Sequence, residues 1–437
     1  MPAPIVRSWG NVLTAEHRLL SVRERAADFP DIAPARSVLP FGNGRSYGDS
    51  CLNCGEALLQ TRSLDRFMAF DAAAGTLACE AGVLLDEILR LTVPRGWFMP
   101  VTPGTRFVTL GGAIANDVHG KNHHRAGTLG AHVRRLELLR SDGQRLICSA
   151  ERETELFAAT IAGLGLTGLV TWAELQLRPI AGPMLEVETI RFADLEEFLA
   201  LCAESDRTHE YTVAWIDCLG RGRSLGRGLF QRANHSSTAA APAAAAEHLS
   251  VPFTPPFSLV NRASLRLFNL AYYHRQRGKR RRSLQHFAPF FYPLDGVRNW
   301  NRLYGPRGLY QYQCVLPGPA GREATALLLE RIARSGQGSF LAVLKQFGSA
   351  ASPGMLSFPR EGITLALDFP NRGEALSRLF TELDAVVRDA GGRLYPAKDG
   401  RMPGELFRSG YPRWREFARL IDPRCSSSFW RRVTEGA

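Results

Sequence analysis

No apolar run in this sequence approaches the roughly twenty residues that a helix needs to cross a bilayer, so a helical membrane-spanning protein is excluded. The opening MPAPIVRSWGNVLTAEH lacks the charged, apolar and cleavage segments of a signal peptide, and a cytoplasmic location is expected. Cysteine is sparse: eight in 437 residues make no disulfide scaffold, and reduced thiols are expected. The phosphate-loop signature G-x-x-x-x-G-K-[ST] is missing, which removes the main support for a P-loop nucleotidase. Cys51-Leu52-Asn53-Cys54 has zinc spacing but no second C-x-x-C to complete a site, so it reads as structural and no metal is expected. Acid is scarce in one place above all. Between Cys218 and Leu294 stand twelve Lys/Arg and a single carboxylate, Glu247.

That stretch carries nearly all of the formal net charge of +12. Its sharpest part is Arg275, Arg277, Lys279, Arg280, Arg281 and Arg282, directly after the apolar and aromatic run Leu265–Tyr273. Such a pairing suits the surface of an anionic membrane. It also suits nucleic-acid phosphates, or a plain solvated loop. Within the same region Ser236–Ala246 reads SSTAAAPAAAA, and three prolines follow in Val251–Phe257. The composition predicts a mobile insertion over about 232–285.

The rest is ordinary globular material, 45% apolar and 22% charged, with room for two or three domains. The first 180 or so residues alternate short apolar runs with turn signals. Ser37–Phe41, Ala57–Gln60, Thr76–Glu80, Val133–Leu139 and Leu169–Leu177 read as strands, and Ser141–Gln144 as a hairpin turn. Leu84–Leu91 and Glu155–Ala162 have helical spacing. Further on, Tyr310–Leu316 and Ser339–Phe347 alternate, and Glu374–Ala390 is an amphipathic helix ended by Gly391-Gly392. The expected class is α+β.

Three glycine motifs compete for attention. Gly163-Leu164-Gly165-Leu166-Thr167-Gly168 matches G-x-G-x-x-G, but a dinucleotide fingerprint needs a strand before it and a helix after it. Here the order is reversed, so a tight helix-to-strand turn is expected. Phe41–Ser50, FGNGRSYGDS, follows a strand and has three glycines in seven residues, which lets successive N–H groups face one anion. Some sixty residues later, Pro103-Gly104-Thr105-Arg106 and Thr109–Gly120 form a second small-residue loop. Two such loops are suited to clamping a long diphosphate ligand by close backbone approach. His119, His123 and His124 in HGKNHH have no third or fourth metal ligand nearby and fit a cofactor or substrate loop better.

FGNGRSYGDS, PGTRFVTLGGAIANDVHGKNHH, GLGLTG and the C-terminal LYPAKD together resemble the vanillyl-alcohol-oxidase family of flavoproteins, with a PCMH-type FAD-binding fold. Within that family, AWID at Trp215, FYPLD at Tyr292, NRLYGPRGLYQYQ, SFLAVLKQFG and LDFP resemble the branch that oxidises polyprenyl-phosphoryl ribose. The resemblance spans nearly the whole chain, least in the Ala/Pro stretch. It implies an FAD-binding domain at 1–180, a substrate domain of antiparallel sheet and helices at 181–390, and a segment 391–437 that returns to the FAD domain.

It also implies roles. Gly42, Asn43, Gly44, Arg45, Ser46, Tyr47, Gly48 and Asp49 would hold the cofactor pyrophosphate. Gly104, Thr109, Gly111, Gly112, Asn116, Asp117, His119, Val170 and Tyr395 would line the flavin. Lys398, His119 and Tyr47 would be catalytic, and Trp215, Gln313, Lys345 and Lys398 would meet the substrate, Lys345 at its phosphate. The implied reaction oxidises the ribose 2′-hydroxyl of a polyprenyl-phosphoryl-β-D-ribose to the 2′-ketone. A partner short-chain reductase would complete epimerisation to the arabinose form. A lipid-linked substrate makes peripheral membrane contact, and not nucleic acid, the expected use of the basic stretch. Two departures matter. Related oxidases attach FAD to a histidine in the first glycine loop, where this chain has Arg45-Ser46-Tyr47, so non-covalent FAD is expected. A cysteine found beside the flavin in relatives is replaced by Ala366, so capture by thiol-directed inhibitors is not expected. The alternative reading is an alditol or aldonolactone oxidase acting on free sugars.

Overall fold

The structure, a computed structural model, describes residues 5–238 and 249–435. It is an α+β protein of helices and mainly antiparallel sheets. Near the N-terminus, β1 (Arg18–Ser21), β2 (Val38–Phe41) and β3 (Ala57–Gln60) form a parallel sheet in the order β1-β3-β2. A five-stranded antiparallel sheet follows, from β4 (Phe67–Asp71), β5 (Thr76–Glu80), β6 (Val133–Leu139), β7 (Arg145–Ser149) and β8 (Leu169–Gln176), in the order β7-β6-β8-β5-β4. Helices α1 (Leu85–Thr92), α2 (Leu110–Ala115) and α3 (Thr154–Thr160) accompany it. The chain leaves α3 through GLGLTG and enters β8, so the glycines make the helix-to-strand turn expected of them. Leu164 and Gly165 sit at φ +55° and +79° to make that turn.

The largest sheet has eight antiparallel strands. They are β9 (Met184–Phe192), β10 (Tyr211–Ile216), β11 (Gly228–His235), β12 (Arg280–His286), β13 (Leu309–Leu316), β14 (Ala342–Phe347), β15 (Gly362–Pro370) and β16 (Arg393–Leu394). Their order is β12-β9-β11-β10-β14-β15-β13-β16. Alternation gives this sheet two chemically different faces. On one, Phe192, Ala214, Ile216, Phe230, Cys314, Leu344, Leu365 and Leu367 are buried under helices α4 (Leu195–Ser205), α6 (Ala320–Ser335) and α7 (Glu374–Asp389). The other face carries Trp215, Val343, Lys345, Gln311, Gln313, Ala366 and Asp368, all brought level by the register Trp215↔Val343, Val343↔Ala366, Gln313↔Ala366 and Gln311↔Asp368. A polar, charged face on a central sheet is what a binding site needs and what a core does not.

Two expectations about the basic stretch change. Of the insertion predicted mobile over 232–285, residues 239–248 lie outside the described residues. The remainder is built into the fold. Helix α5 (Arg262–His274) starts at Asn261, whose side chain accepts from the Ala263 and Ser264 amides at 3.0 and 3.1 Å, and β12 pairs along β9 from Met184↔His286 to Ile190↔Arg280. Half of the sharp basic run is also neutralised. Arg282 pairs with Glu188 at 3.0 Å, Arg280 reaches Glu188 and Glu204, and Lys279 meets Glu197. Composition hid both facts because the acids come from strands and helices earlier in the chain. Arginines on this edge strand also discourage pairing with a foreign strand.

The C-terminal segment is fastened back. Val38 and Cys425 form a β-bridge, and Arg140 meets Asp422 at 3.4 Å. From α8 (Ser428–Thr434), Arg432 spans two buried acids, donating to Asp49 at 2.8 and 2.7 Å and to Asp399 at 2.9 Å. No helix among the described residues is long and apolar enough to cross a membrane.

Candidate active site

Backbone geometry in the two glycine loops comes first. After β2 the chain passes through Gly42–Ser46, with Gly44 at φ +60°. A Cβ on Gly42 would fall 2.3 Å from Thr109 Oγ1, so only glycine lets the first loop lie against the second. Asn43 Nδ2 donates to the Phe107 carbonyl at 2.7 Å and ties the two loops together. Among the described residues the backbone N–H groups of Asn43, Gly44, Arg45 and Ser46 donate to no protein acceptor. Four successive free amides on a half-exposed loop are what an anion nest of the kind expected from the sequence would require. Arg45 lies over the Trp9 ring at 4.0 Å and keeps its buried Nε without a partner. The letters Gly44–Gly48 also satisfy G-x-S-x-G, but a three-residue 3-10 turn follows and no histidine bonds Ser46 among the described residues, so no nucleophile elbow is formed.

In the second loop Thr109 caps α2, its Oγ1 accepting from the Gly112 amide at 3.1 Å. Gly111 packs against Ala81, where an added Cβ would sit 3.0 Å from the Ala81 Cβ, and a Cβ on Gly104 would meet nothing within 4 Å. Asn116 donates to Gly112 O at 2.8 Å and leaves its buried Oδ1 unpaired. The loop thus offers small residues, an open edge and an unused acceptor.

The third component is the polar face of the large sheet, and the fourth is the turn Tyr395–Asp399. Tyr395 Oη donates to the Asn116 carbonyl at 2.9 Å, and the Tyr47 amide donates to Ala397 O at 3.0 Å. A Cβ on Gly48 would lie 1.6 Å from Asp399 O. Residues about 350 apart in sequence are therefore zipped backbone to backbone. His119 lies at the centre. Gln313 Nε2 donates to its Nε2 at 3.0 Å, and the rings of Phe347, Tyr395 and Phe358 surround it at 4.9, 5.2 and 5.6 Å. Lys398 Nζ sits 4.1 Å above the Tyr47 ring. Gln311 donates to Asp368 at 2.6 Å.

The electrostatics of this cluster are lopsided. Burial lowers Lys398 to about 8, with the Asp368 carboxylate pulling the other way. Burial and then the Lys398 charge lower Lys345 to about 8, and burial and then Lys345 lower Lys121 to about 7. Burial first, then Lys345, His123 and Lys398, drive His119 far below its ordinary value, so its imidazole is neutral. Burial lifts Asp368 to about 6, and burial and then Asp368 lift Tyr47 well above the phenol range. Of these three half-buried lysines, Lys398 alone feels the Asp368 carboxylate, and such an excess of cations favours an anionic occupant.

Lys398, Tyr47, His119, Gln313, Lys345 and Tyr395 thus converge as expected. Others do not reach the cluster with their polar groups. The Asp49 carboxylate is taken by Arg432. Asp117 is fully buried at φ +40° and accepts from Gly130 N at 2.8 Å and from the Ser352 and Ser357 hydroxyls at 2.5 Å, so it holds loop 352–357 instead of facing outward. Trp215 donates its indole N–H to Phe340 O at 2.9 Å and packs on Tyr272 at 4.5 Å, which leaves a wall and no free donor. Val170 is buried in β8 opposite Leu138. Ala366 stands between Gln313 and Val343. Sequence reasoning missed Lys121, Gln311 and Asp368. The signal was there for two of them, since Gln311 precedes Gln313 and Asp368 follows Ala366 by the strand period of two.

The site's chemistry now has independent company. Residues 32–149 match a family model described as FAD binding domain. Decaprenylphosphoryl-beta-D-ribose oxidase of Mycolicibacterium smegmatis is 37% identical over 402 residues, covering 89% of this chain and 86% of that protein. The chain belongs to this oxidase family. It is an FAD-dependent oxidoreductase. An uncharacterised Streptomyces coelicolor protein is 38% identical over 78% of this chain and 96% of its own length. Cytokinin dehydrogenase 7 of Oryza sativa subsp. japonica is 30% identical over 32% of this chain and 28% of its own. The first two matches run over most of the chain, whereas the cytokinin dehydrogenase match is confined to about a third of it.

Proposed function

We propose that this oxidoreductase acts on the ribose 2′-hydroxyl of a polyprenyl-phosphoryl-β-D-ribose and yields the 2′-ketone. The observation that carries the reading is the lysine-rich cluster around His119: a sugar joined to a phosphodiester brings the negative charge that three lysines beside a single carboxylate, Asp368, are short of. Free alditols and lactones bring none. A two-domain PCMH-type arrangement accounts for the division of labour, with FAD on 1–180 and 391–437 and substrate on the sheet face of 181–390.

The residues fit FAD. Gly42–Gly48 would receive the pyrophosphate on the free amides of Asn43–Ser46. Gly104, Thr109, Gly111, Gly112, Asn116 and Tyr395 would border the ring system. FAD, when bound, supplies the acceptor for the hydride that leaves the sugar carbon. Lys398 Nζ takes the hydroxyl proton, a role open to an amine lowered to about 8. The ammonium so formed keeps positive charge at the site, with Asp368 close by to hold it. Neutral His119, fixed by Gln313, orients the sugar hydroxyl. Lys345 holds the phosphodiester. Asp49 and Asp117 serve the frame, and Trp215 serves as an apolar wall of the substrate site. A short-chain reductase acting on the released ketone completes the epimerisation. Peripheral contact with an anionic membrane, made by 249–284, presents the lipid-linked substrate.

The test is anaerobic flavin bleaching. A short-chain polyprenyl-phosphoryl ribose should bleach the protein in a single turnover, and alditols or aldonolactones at equal concentration should not. Bleaching by free sugars alone would overturn the substrate and favour the aldonolactone-type reading. A colourless protein would remove both.

A further inference from the structure

Away from the active site, a surface cavity of about 350 Å³ opens beside α5, lined among others by Arg221, Arg227, Arg262, Arg266, Asn269 and Asp217. Two of its four arginines have structural work. Arg227 is paired with Asp217 at 2.8 Å, and Arg221 donates to the Ala333 carbonyl at 2.6 Å near the end of α6. Arg262 and Arg266 stand one turn apart on α5, exposed, with no ion-pair partner among the described residues. Asn269, a further three residues along, is 1% exposed. Its Nδ2 donates to Asp217 at 2.7 Å, which fixes the amide's orientation and leaves a buried Oδ1 with no donor.

The surroundings are apolar where apolar groups should be hidden. Of eleven large hydrophobic residues that are exposed among those described, seven fall in 249–284: Leu249, Phe253, Phe257, Leu259, Leu267, Leu270 and Leu284. Leu267 and Leu270 are 72% and 52% exposed, and they stand on α5 beside the arginines. The opposite side of α5 is covered: half-buried Phe268 and Tyr272 pack on Trp215 at 6.5 and 4.5 Å. One helix therefore joins the wall of the substrate site to an exposed face of leucines and unpaired arginines.

We propose that this cavity is a headgroup site for an anionic phospholipid bearing a free hydroxyl. Arg262 and Arg266 take the phosphate, the Asn269 Oδ1 accepts the headgroup hydroxyl, and Leu267 and Leu270 enter the edge of the acyl layer. The inference deepens the membrane contact proposed above and rests on it. It replaces a diffuse basic patch by a defined site, because most of the arginine-rich edge strand is already paired with Glu188 and Glu204. The occupant is a lipid and not free phosphate, because the unpaired cations and the exposed leucines share one helix face.

The experiment uses the full-length flavoprotein and vesicles of phosphatidylglycerol in phosphatidylcholine, read by flotation. Wild type should float with phosphatidylglycerol and not with phosphatidylcholine alone. The double variant Arg262→Gln/Arg266→Gln should partition about thirtyfold more weakly, the order expected for two basic residues at an anionic surface. A control with the same loss of charge elsewhere, Arg23→Gln/Arg419→Gln, should float nearly as well as wild type. Leu267→Gln/Leu270→Gln should also float poorly. Flavin content and turnover of a short-chain soluble substrate should stay at wild-type level in all three, so that failure of the substrate assignment registers separately from failure of the headgroup site. Equal flotation of the two arginine variants, or competition by inorganic phosphate at millimolar concentration, would overturn the site. If the Arg262/Arg266 variant lost flavin, the leucine variant would still decide, and its flotation at wild-type level would overturn the site.

Discussion

Removing the one buried carboxylate of the site should make the enzyme faster at neutral pH. Lys398 is held at about 8 by two opposed influences, burial pushing it down and Asp368 pushing it up. Asp368→Asn deletes the second and keeps an oxygen to accept from Gln311, so the hydrogen bond now measured at 2.6 Å survives. An opposite charge at close range is worth about one to three pKa units. Taking the lower figure, Lys398 falls to about 7, a change of about 1.4 kcal/mol. The neutral amine is then about half of the population at pH 7, against about a tenth in wild type. Stopped-flow bleaching of the flavin by a short-chain polyprenyl-phosphoryl ribose, followed from pH 5.5 to 9.5, reads this directly. Wild type should gain rate as pH rises through about 8, and the variant through about 7. The variant should lead by about fivefold at pH 7 and fall level above pH 9. Below about pH 6 the two should converge, because Asp368 itself takes up a proton there. A limb that stays put or moves to higher pH would refute the assignment of Lys398 as proton acceptor.

Four further outcomes are expected. Acid precipitation should release the yellow colour into the supernatant, because no histidine stands in the first glycine loop to bind FAD covalently; colour left in the pellet would contradict this. Lys398→Met should keep its flavin spectrum and lose about 10²–10³ in bleaching rate, the usual cost of one preorganised group. Gly48→Ala should lower the thermal midpoint and the flavin content together, since its Cβ would lie 1.6 Å from a backbone oxygen that cannot swing away. Arg432→Met should cost about 3 kcal/mol in denaturant unfolding, because it strands Asp49 and Asp399, whose side chains are 9% and 6% exposed.

Short-range patterning made much of the frame legible. Alternation found β6, β8, β13 and β14, and the 3.6-residue period with its glycine stop found α7. The two glycine loops could be read because close backbone approach permits few residue types. Long-range pairing was not legible. Nothing local in Arg280-Arg281-Arg282 announces that Glu188, some ninety residues earlier, neutralises two of the three. Asp49 looked like a cofactor contact for the same reason, its partner Arg432 being far along the chain. Asp368 and Gln311 acquire meaning only through the strand register that sets them side by side.

The clasp made by Arg432 has a consequence for when the first glycine loop is locked. Asp49 ends the first glycine loop, yet the guanidinium that fixes it is 383 residues downstream. A growing chain that has already shaped its first glycine loop must wait through the synthesis of every strand of the large sheet before that loop is locked. Until then the Asp49 and Asp399 carboxylates face each other without the guanidinium that bridges them. That lock therefore forms only once the C-terminal helix has been made, so truncating Ser428–Thr434 should loosen a loop near the other end of the chain.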